Sequence, residues 1–103
     1  MFNFFGRGGD IELIEEYINK DAIVIDVRTP QEFHAGNVPN SILIGMHEIA
    51  QSVEKIKAYK KPIILVCLTG SRASSAKRFL KKYDIDVING GYWQNILRYQ
   101  KAI

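Results

Sequence analysis

The single cysteine of this chain lies in a short segment whose residue types could support nucleophilic sulfur chemistry. The segment directly follows an apolar run at residues 63–66 and consists of Cys67, Leu68, Thr69, Gly70, Ser71 and Arg72. A reactive thiol needs nearby positive charge or amide N–H groups to stabilise its thiolate. Gly70 permits the backbone torsions of a tight curl, and Arg72 offers a planar fork for an oxyanion. The segment therefore predicts a loop that surrounds the Cys67 sulfur and binds an anion.

Two predicted elements would position this loop. The apolar run before it is typical of a buried strand. The predicted helix at residues 71–82, with Tyr83 directly after it, places apolar side chains at helical spacing: Ala73, Ala76, Phe79, Leu80 and Tyr83. Ligands of open α/β sheets bind outside the carboxyl ends of the strands, where the amides and dipole of a helix N-terminus would favour a thiolate. The alternative is that Cys67 is an inert core residue and Arg72 a solvated helix residue.

Three motifs, in order along the chain, resemble those of rhodanese-like domains, the sulfurtransferases. The loop C-L-T-G-S-R resembles the C-x-x-G-x-R active-site loop of that family. Residues 26–41 resemble its signature D-V-R-x-x-x-E-F-x-x-G-H-I-x-G-A, and residues 90–93 resemble its closing G-G-aromatic turn. This chain differs from the signature at three positions: it has Asn37 where the family has histidine, Asn40 where the family has glycine, and Ser41 where the family has alanine. In the loop, Leu68 stands where many relatives carry a charged or aromatic residue.

This resemblance implies a fold and an activity. The fold is a three-layer, rhodanese-like α/β domain whose central, mostly parallel sheet has about five short strands, with helices on both faces. The activity is that of a sulfurtransferase in which Cys67 takes a sulfane sulfur from a thiosulfate-like or persulfide donor and passes it to a thiol or cyanide. Arg72 and the amides of residues 68–72 would orient the anionic donor and stabilise the Cys67 persulfide. Asp26 and Arg28, which follow a buried strand, would form a structural pair that braces the fold beside the loop.

Predicted helices and strands alternate along the chain, which favours a parallel sheet. Hydrophobic periodicity predicts helices at residues 10–19, 46–58 and 71–82 and a helical tail from about residue 93. A short helix at residues 29–36 is predicted from proline in its first turn and from Gly36 at its end. Strands are predicted at residues 22–27, 41–44, 63–67 and 86–88. Glu32 is interpreted as a first-turn helix residue. Gly90 and Gly91 are expected to reverse the chain, and Trp93, Ile96 and Leu97 to pack inward.

Length and composition predict one domain with one core. The chain has 103 residues, of which 47% are hydrophobic. We expect a tail at residues 1–9, which is packed or frayed, and a monomeric domain at residues 10–103. The apolar start at residues 1–6 is too short for a signal peptide or a membrane span, and a lone cysteine excludes an internal disulfide. A cytoplasmic protein is therefore expected.

Charge is distributed unevenly around the net value of +3. Residues 55–82 contain nine bases and no acid, whereas residues 1–54 contain nine acids and three bases. A positive field beside Cys67 would favour its thiolate and attract a small anionic sulfur donor or an acidic partner surface. The alternative is that these bases belong to ordinary solvated helix faces. Nucleic-acid binding is not expected, because the chain has no reader motif and its acidic half would repel phosphate.

Other chemistries fit less well. His34 and His47 lack the companion spacing of a metal site, so neither a metal nor another cofactor is expected. No G-x-S-x-G nucleophile elbow is present. Cysteine-dependent phosphatases have five residues between cysteine and arginine; here there are four, a tighter loop that suits a terminal sulfur better than phosphate.

Two alternatives to the sulfurtransferase remain: such a phosphatase, and a sulfur-carrier or protein-binding module that acts with a partner enzyme. An external thiol or acceptor protein must in any case take the sulfur, since the chain has no second cysteine.

Overall fold

Four parallel strands form the central sheet of residues 9–100, the part of the chain that this computed structural model describes. They are β1 (Ile23–Asp26), β2 (Ile42–Leu43), β3 (Ile63–Cys67) and β4 (Val87–Tyr92), in the spatial order β2-β1-β3-β4. Every pairing between neighbours is parallel. The predicted α/β class is confirmed, with the four strands that the apolar runs indicated and no fifth within residues 9–100.

Helices connect these strands and cover both faces of the sheet. The α-helices are α1 (Ile14–Asn19), α2 (Pro30–Ala35), α3 (Val53–Ala58) and α4 (Ser71–Leu80). Short 3₁₀ segments lie at Ile11–Leu13, Met46–Glu48, Ala50–Ser52, Lys81–Tyr83 and Trp93–Arg98. Within the described part of the chain, no helix is both long enough and apolar enough to cross a membrane.

Side chains alternate along β3 and divide the interior into two cores. Ile63, Leu65 and Cys67 pack into the core that includes the buried residues of α3 and α4. Ile64 and Val66 pack into the opposite core, with side chains of α1 and of the Trp93–Arg98 segment. All five are fully buried, as expected of a central parallel strand that reads as a continuous apolar run. Cys67 therefore belongs to the face of the sheet that α4 covers.

The ends of α2 are as the sequence predicts. Thr29 caps the helix: its Oγ1 accepts from the Glu32 amide at 3.2 Å, while the Glu32 carboxylate accepts from the Thr29 amide at 2.9 Å. Pro30 occupies the first helical position, and the helix ends at Gly36. Farther on, Asn40 has a φ of 69°, in the left-handed region that asparagine tolerates better than most residues. Asparagine can therefore replace the glycine of the signature at this turn.

The continuous helix predicted for residues 46–58 is wrong in its first half. Two 3₁₀ segments precede α3, held by bonds such as that from the Ser52 amide to the Ile49 carbonyl at 3.0 Å. The Ser52 hydroxyl donates to the Glu48 carbonyl at 2.8 Å. The Ser52 hydroxyl thus occupies the Glu48 carbonyl, to which the Ser52 amide would donate in an α-helix. The regular helix therefore begins only at Val53.

Two predictions near the C-terminal end are also wrong. Gly90 and Gly91 do not reverse the chain: both belong to β4, where the register against β3 shifts and Gly91 has a φ of 76°. A Cβ at Gly90 would lie 2.7 Å from Cγ2 of Ile64, so this strand needs glycine for close packing. Leu97 is 43% exposed although Ile96 is buried. In a 3₁₀ segment the repeat is three residues, which puts Trp93 and Ile96 on the inner face and turns Leu97 outward.

Candidate active site at the carboxyl edge of the sheet

The chain turns from β3 into α4 at the carboxyl edge of the sheet. Strand order changes direction between β1 and β3, which places a crevice outside the carboxyl ends of these two strands. Cys67 is the last residue of β3, and α4 begins at Ser71. Gly70 sits between them with a φ of 96°, a torsion that favours glycine. The curl predicted at this glycine is therefore present.

Two backbone amides point at the cysteine sulfur. The Gly70 amide donates to Sγ of Cys67 at 2.9 Å, and the Ala73 amide donates to it at 3.5 Å. The thiol is fully buried. Ala73 lies one residue beyond the predicted loop of residues 68–72, so sequence reasoning missed it. The available signal was that first-turn amides of a helix have no intrahelical partner, and Ala73 is in the first turn of α4.

Arg72 makes a forked ion pair with Glu32 of α2. Its two terminal nitrogens, Nη1 and Nη2, donate to the two carboxylate oxygens at 2.9 and 3.2 Å. These bonds, with that from the Thr29 amide, lower the pKa of Glu32 to about 2. The bond to Glu32 is also the main reason that the pKa of Arg72 is raised. The sequence indicated a fork available to an oxyanion, but a protein carboxylate occupies it here; Glu32, interpreted only as a helix residue, was the missed partner.

The pair predicted after β1 is present and buried. Arg28 donates to both carboxylate oxygens of Asp26, with the shortest of these distances 2.8 Å from Nη2. Nη2 also donates to the Gly36 carbonyl at the end of α2, and the guanidinium lies 4.8 Å from the ring centroid of Trp93. The pair thus joins β1, α2 and the C-terminal segment beneath the crevice.

Asn89 of β4 connects the sheet to the loop, a contact that the sequence analysis did not include. Its Nδ2 donates to the Gly70 carbonyl at 3.0 Å, and its Oδ1 accepts from the Gly91 amide at 2.8 Å. Asp10 accepts from the Asn89 amide at 2.8 Å and from Lys77 of α4 at 2.7 Å. Gly70, whose amide donates to the sulfur, is therefore also bonded to β4 through its carbonyl.

A cleft of about 430 Å³ opens beside Cys67. Its lining consists of Leu68, Thr69, Tyr92 and Asn95. Leu68 and Thr69 directly follow the cysteine, and Tyr92 is the residue of β4 that pairs with it. Leu68 is 45% exposed, so the cleft presents an apolar side chain to solvent beside the buried thiol.

The bases of residues 55–82 lie mostly at the edge of the sheet opposite Cys67. The prediction that they create a positive field beside the thiol is therefore wrong. Lys60 and Lys61 precede β3, and five strand residues of about 3.3 Å each separate them from the loop. At the far end of α4, Asp84 and Asp86 line a common cavity with Lys57 and these two lysines. Neighbours of the cysteine in sequence are thus distant in space, because the strand and the helix both run between the two edges.

Metal ligands are not grouped in the described residues: no cluster of three or more His, Cys, Asp or Glu side chains that could hold an ion occurs there. The fold and the site together define a parallel α/β domain with a candidate nucleophilic thiol under helix N-terminal amides. The chain belongs to the rhodanese-like domain family, whose family model "Rhodanese-like domain" matches residues 10–99.

Comparison with known proteins gives relatives of similar size. The chain is 31% identical over 74 residues to the thiosulfate sulfurtransferase GlpE of Pseudomonas syringae pv. syringae, covering 69% of each. It is 28% identical over 85 residues to GlpE of Pseudoalteromonas translucida, covering 80% of this chain and 77% of that protein. The crystal structure of a rhodanese-related protein from Thermoplasma volcanium superposes with a TM-score of 0.70 at 27% identity, covering 82% of this chain and 84% of the other. These relatives support a sulfurtransferase activity in general.

Proposed function

We propose that this chain is a sulfurtransferase that carries a sulfane sulfur as a Cys67 persulfide. The observation that carries the proposal is the pair of amides, from Gly70 and Ala73, that donate to Sγ at the carboxyl edge of the sheet. Amides fixed before the reaction stabilise developing negative charge without reorganising at the moment of transfer. The family membership and the names of the relatives support the same reaction class.

The first half-reaction loads the cysteine. The Cys67 thiolate attacks the outer sulfur of a donor, forms a new S–S bond and displaces the donor's remaining group with the electron pair of its old S–S bond. With thiosulfate as the donor, the leaving group is sulfite; with a thiol persulfide, it is the thiolate. Neither case needs an oxidant, a reductant or a cofactor. Because the Cys67 side chain is fully buried in this structure, neighbouring atoms have to move before a donor can reach Sγ.

The second half-reaction unloads the cysteine onto an external nucleophile. A thiolate or cyanide attacks the outer sulfur of the persulfide and regenerates the Cys67 thiolate. The acceptor must be external, because the chain has no second cysteine. A small thiol and the cysteine of an acceptor protein are both suitable.

Intact-mass spectrometry after donor treatment tests the proposal. The reduced chain is incubated with thiosulfate and, separately, with benzenethiosulfonate, an organic donor of sulfane sulfur. We expect one added sulfur on Cys67, its removal as thiocyanate on addition of cyanide, and no addition to Cys67→Ser. If neither donor adds sulfur to a thiol shown to be reduced, the proposal is wrong.

The same assay separates the two alternatives. A carrier module would load Cys67 but turn over only when a thiol-bearing acceptor protein replaces cyanide. A phosphatase would hydrolyse an aryl phosphate in a Cys67-dependent manner without taking up sulfur. We expect cyanide-dependent turnover and no phosphate release.

A further inference from the structure

We infer that the site selects an organic, low-charge donor of sulfane sulfur, such as a thiol persulfide, over inorganic thiosulfate. The inference rests on the proposed function, since it concerns the donor that loads Cys67. It is carried by two observations near the thiol: the neutralised guanidinium of Arg72 and the uncharged cleft beside Leu68.

The first observation is that Arg72, the cation of the loop, is already ion-paired with a carboxylate of the chain. Arg72 holds the Glu32 carboxylate through two bonds, and the pKa of Glu32, lowered to about 2, keeps it ionised at neutral pH. The pair is therefore neutral as a unit. The next base along α4, Lys77, is 2.7 Å from the Asp10 carboxylate. A thiosulfate dianion arriving at this edge would meet paired cations.

The second observation is the chemistry of the cleft. Among the described residues, its lining is Leu68, Thr69, Tyr92 and Asn95, none of which carries a charge at neutral pH. Its volume of about 430 Å³ can hold a small organic group. The exposed leucine and the tyrosine ring would gain from contact with an apolar body, whereas a sulfonate placed against them would lose hydration without a compensating cation.

The amides at the sulfur do not themselves discriminate between donors. They contact the cysteine sulfur, and each donor delivers the same single sulfur to it. Selectivity must therefore come from the group that stays outside the loop and then leaves. For thiosulfate this group departs as the sulfite dianion, for an organic thiosulfonate as a sulfinate monoanion, and for a persulfide as a thiolate. The uncharged cleft favours the organic groups in both the bound and the departing state.

A series of three stable donors tests this inference on the full chain. We would measure the second-order rate constant for loading Cys67 by thiosulfate, methanethiosulfonate and benzenethiosulfonate, from quenched samples analysed by mass. Each value is divided by that for the same donor with free N-acetylcysteine, which removes intrinsic reactivity. The corrected constants should rise in that order, with benzenethiosulfonate about tenfold above methanethiosulfonate, because a phenyl ring buries more apolar area in the cleft than a methyl group does.

Leu68→Lys tests the role of the cleft directly. A cation at this position should raise the corrected rate constant for thiosulfate about tenfold and reduce the advantage of benzenethiosulfonate. Tyr83→Lys is the matched control: it places the same charge on an exposed aromatic residue beyond the far end of α4 and should change none of the three constants. Circular dichroism would establish that both variants are folded.

The outcomes distinguish this inference from the function on which it rests. Loading by all three donors, with a corrected constant for thiosulfate equal to or above that for benzenethiosulfonate, would overturn the donor preference and leave the sulfurtransferase intact. An unchanged preference in Leu68→Lys would equally contradict the role of the cleft. If no donor loads the wild-type thiol, the proposed function itself fails.

Discussion

At the scale of single residues, two arginine–carboxylate pairs stand near the candidate site and differ in burial. Both members of the Arg28–Asp26 pair are buried, while the side chains of Arg72 and Glu32 keep about a third of their surface exposed. A buried charge depends on its partner, since loss of the partner leaves the remaining charge without compensation. A partly exposed charge is compensated in part by water. The two pairs should therefore respond differently to substitution.

Removing Arg28 should destabilise the fold severely. In Arg28→Ala the Asp26 carboxylate is left buried with no guanidinium, so the free energy of unfolding should fall by about 3–5 kcal/mol. Urea denaturation followed by circular dichroism measures this change. Lys20→Ala, which breaks the exposed Lys20–Glu16 pair, is the control and should cost no more than about 1 kcal/mol. A loss for Arg28→Ala as small as that of the control would contradict the buried-pair argument.

The Glu32 pair should stabilise the fold only above a certain pH. The pKa of Glu32 is lowered from 4.5 to about 2 in the folded chain, so the folded state binds a proton there less readily than the unfolded state. Its contribution is therefore complete above about pH 4.5 and is lost as the pH falls toward 2. Urea unfolding of wild type and Glu32→Gln from pH 7 to pH 2 should show a difference in stability that shrinks across this window. A difference that stayed constant with pH would mean that the pair contributes through packing alone.

At the scale of secondary-structure elements, β4 both completes the sheet and contacts the loop that follows Cys67. Its register shift and the positive φ of Gly91 bend the strand next to the loop. One side chain, Asn89, accepts from the Gly91 amide and donates to the Gly70 carbonyl. The irregular strand and the loop at Cys67 are thereby fixed by the same residue. We expect Asn89 to act as a positioning residue for the Gly70 amide.

Asn89→Ala should slow the loading of Cys67 by more than its effect on stability explains. Loss of two neutral hydrogen bonds should cost about 1–3 kcal/mol. The Gly70 carbonyl keeps its bond from the Ser74 amide at 2.9 Å but loses its bond to β4, and this looser hold on Gly70 should lower the loading rate about tenfold for every donor. Asn37→Ala is the control, because Asn37 Nδ2 donates at 2.9 Å to the Phe33 carbonyl at the end of α2 and not to the loop at Cys67. It should reduce stability without changing the loading rate. Equal effects of both variants on loading would show that Asn89 is merely structural.

At the scale of the whole molecule, the sequence predicts well what depends on neighbours along the chain. The start of α2 with proline in its first turn, the buried run of β3 and the turn at Gly70 are all local patterns, and each is found where it was expected. Contacts between residues far apart in the sequence are not predicted in this way: Arg72 and Glu32 are 40 residues apart, and Asn89 is 19 residues from Gly70. Nothing local distinguishes the partner of such a residue from other polar residues. The basic segment was misplaced for the same reason, since its position depends on the direction in which β3 and α4 run.

Reversing charge at the far end of α4 should leave the candidate site unaffected. Ten residues of helix separate Ser71 from Lys81 by about 15 Å, more than the screening length of about 10 Å at 0.1 M salt. In the double variant Lys81→Glu, Lys82→Glu, the rate constant for loading Cys67 with thiosulfate should therefore stay within about twofold of wild type, although net charge falls by four. Leu68→Lys, a single charge at the cleft, should change it far more. If instead the double variant lowered the rate fivefold or more at this salt concentration, the basic end of α4 would have to act on the thiol. The positive field that the sequence predicts beside Cys67 would then exist despite the topology.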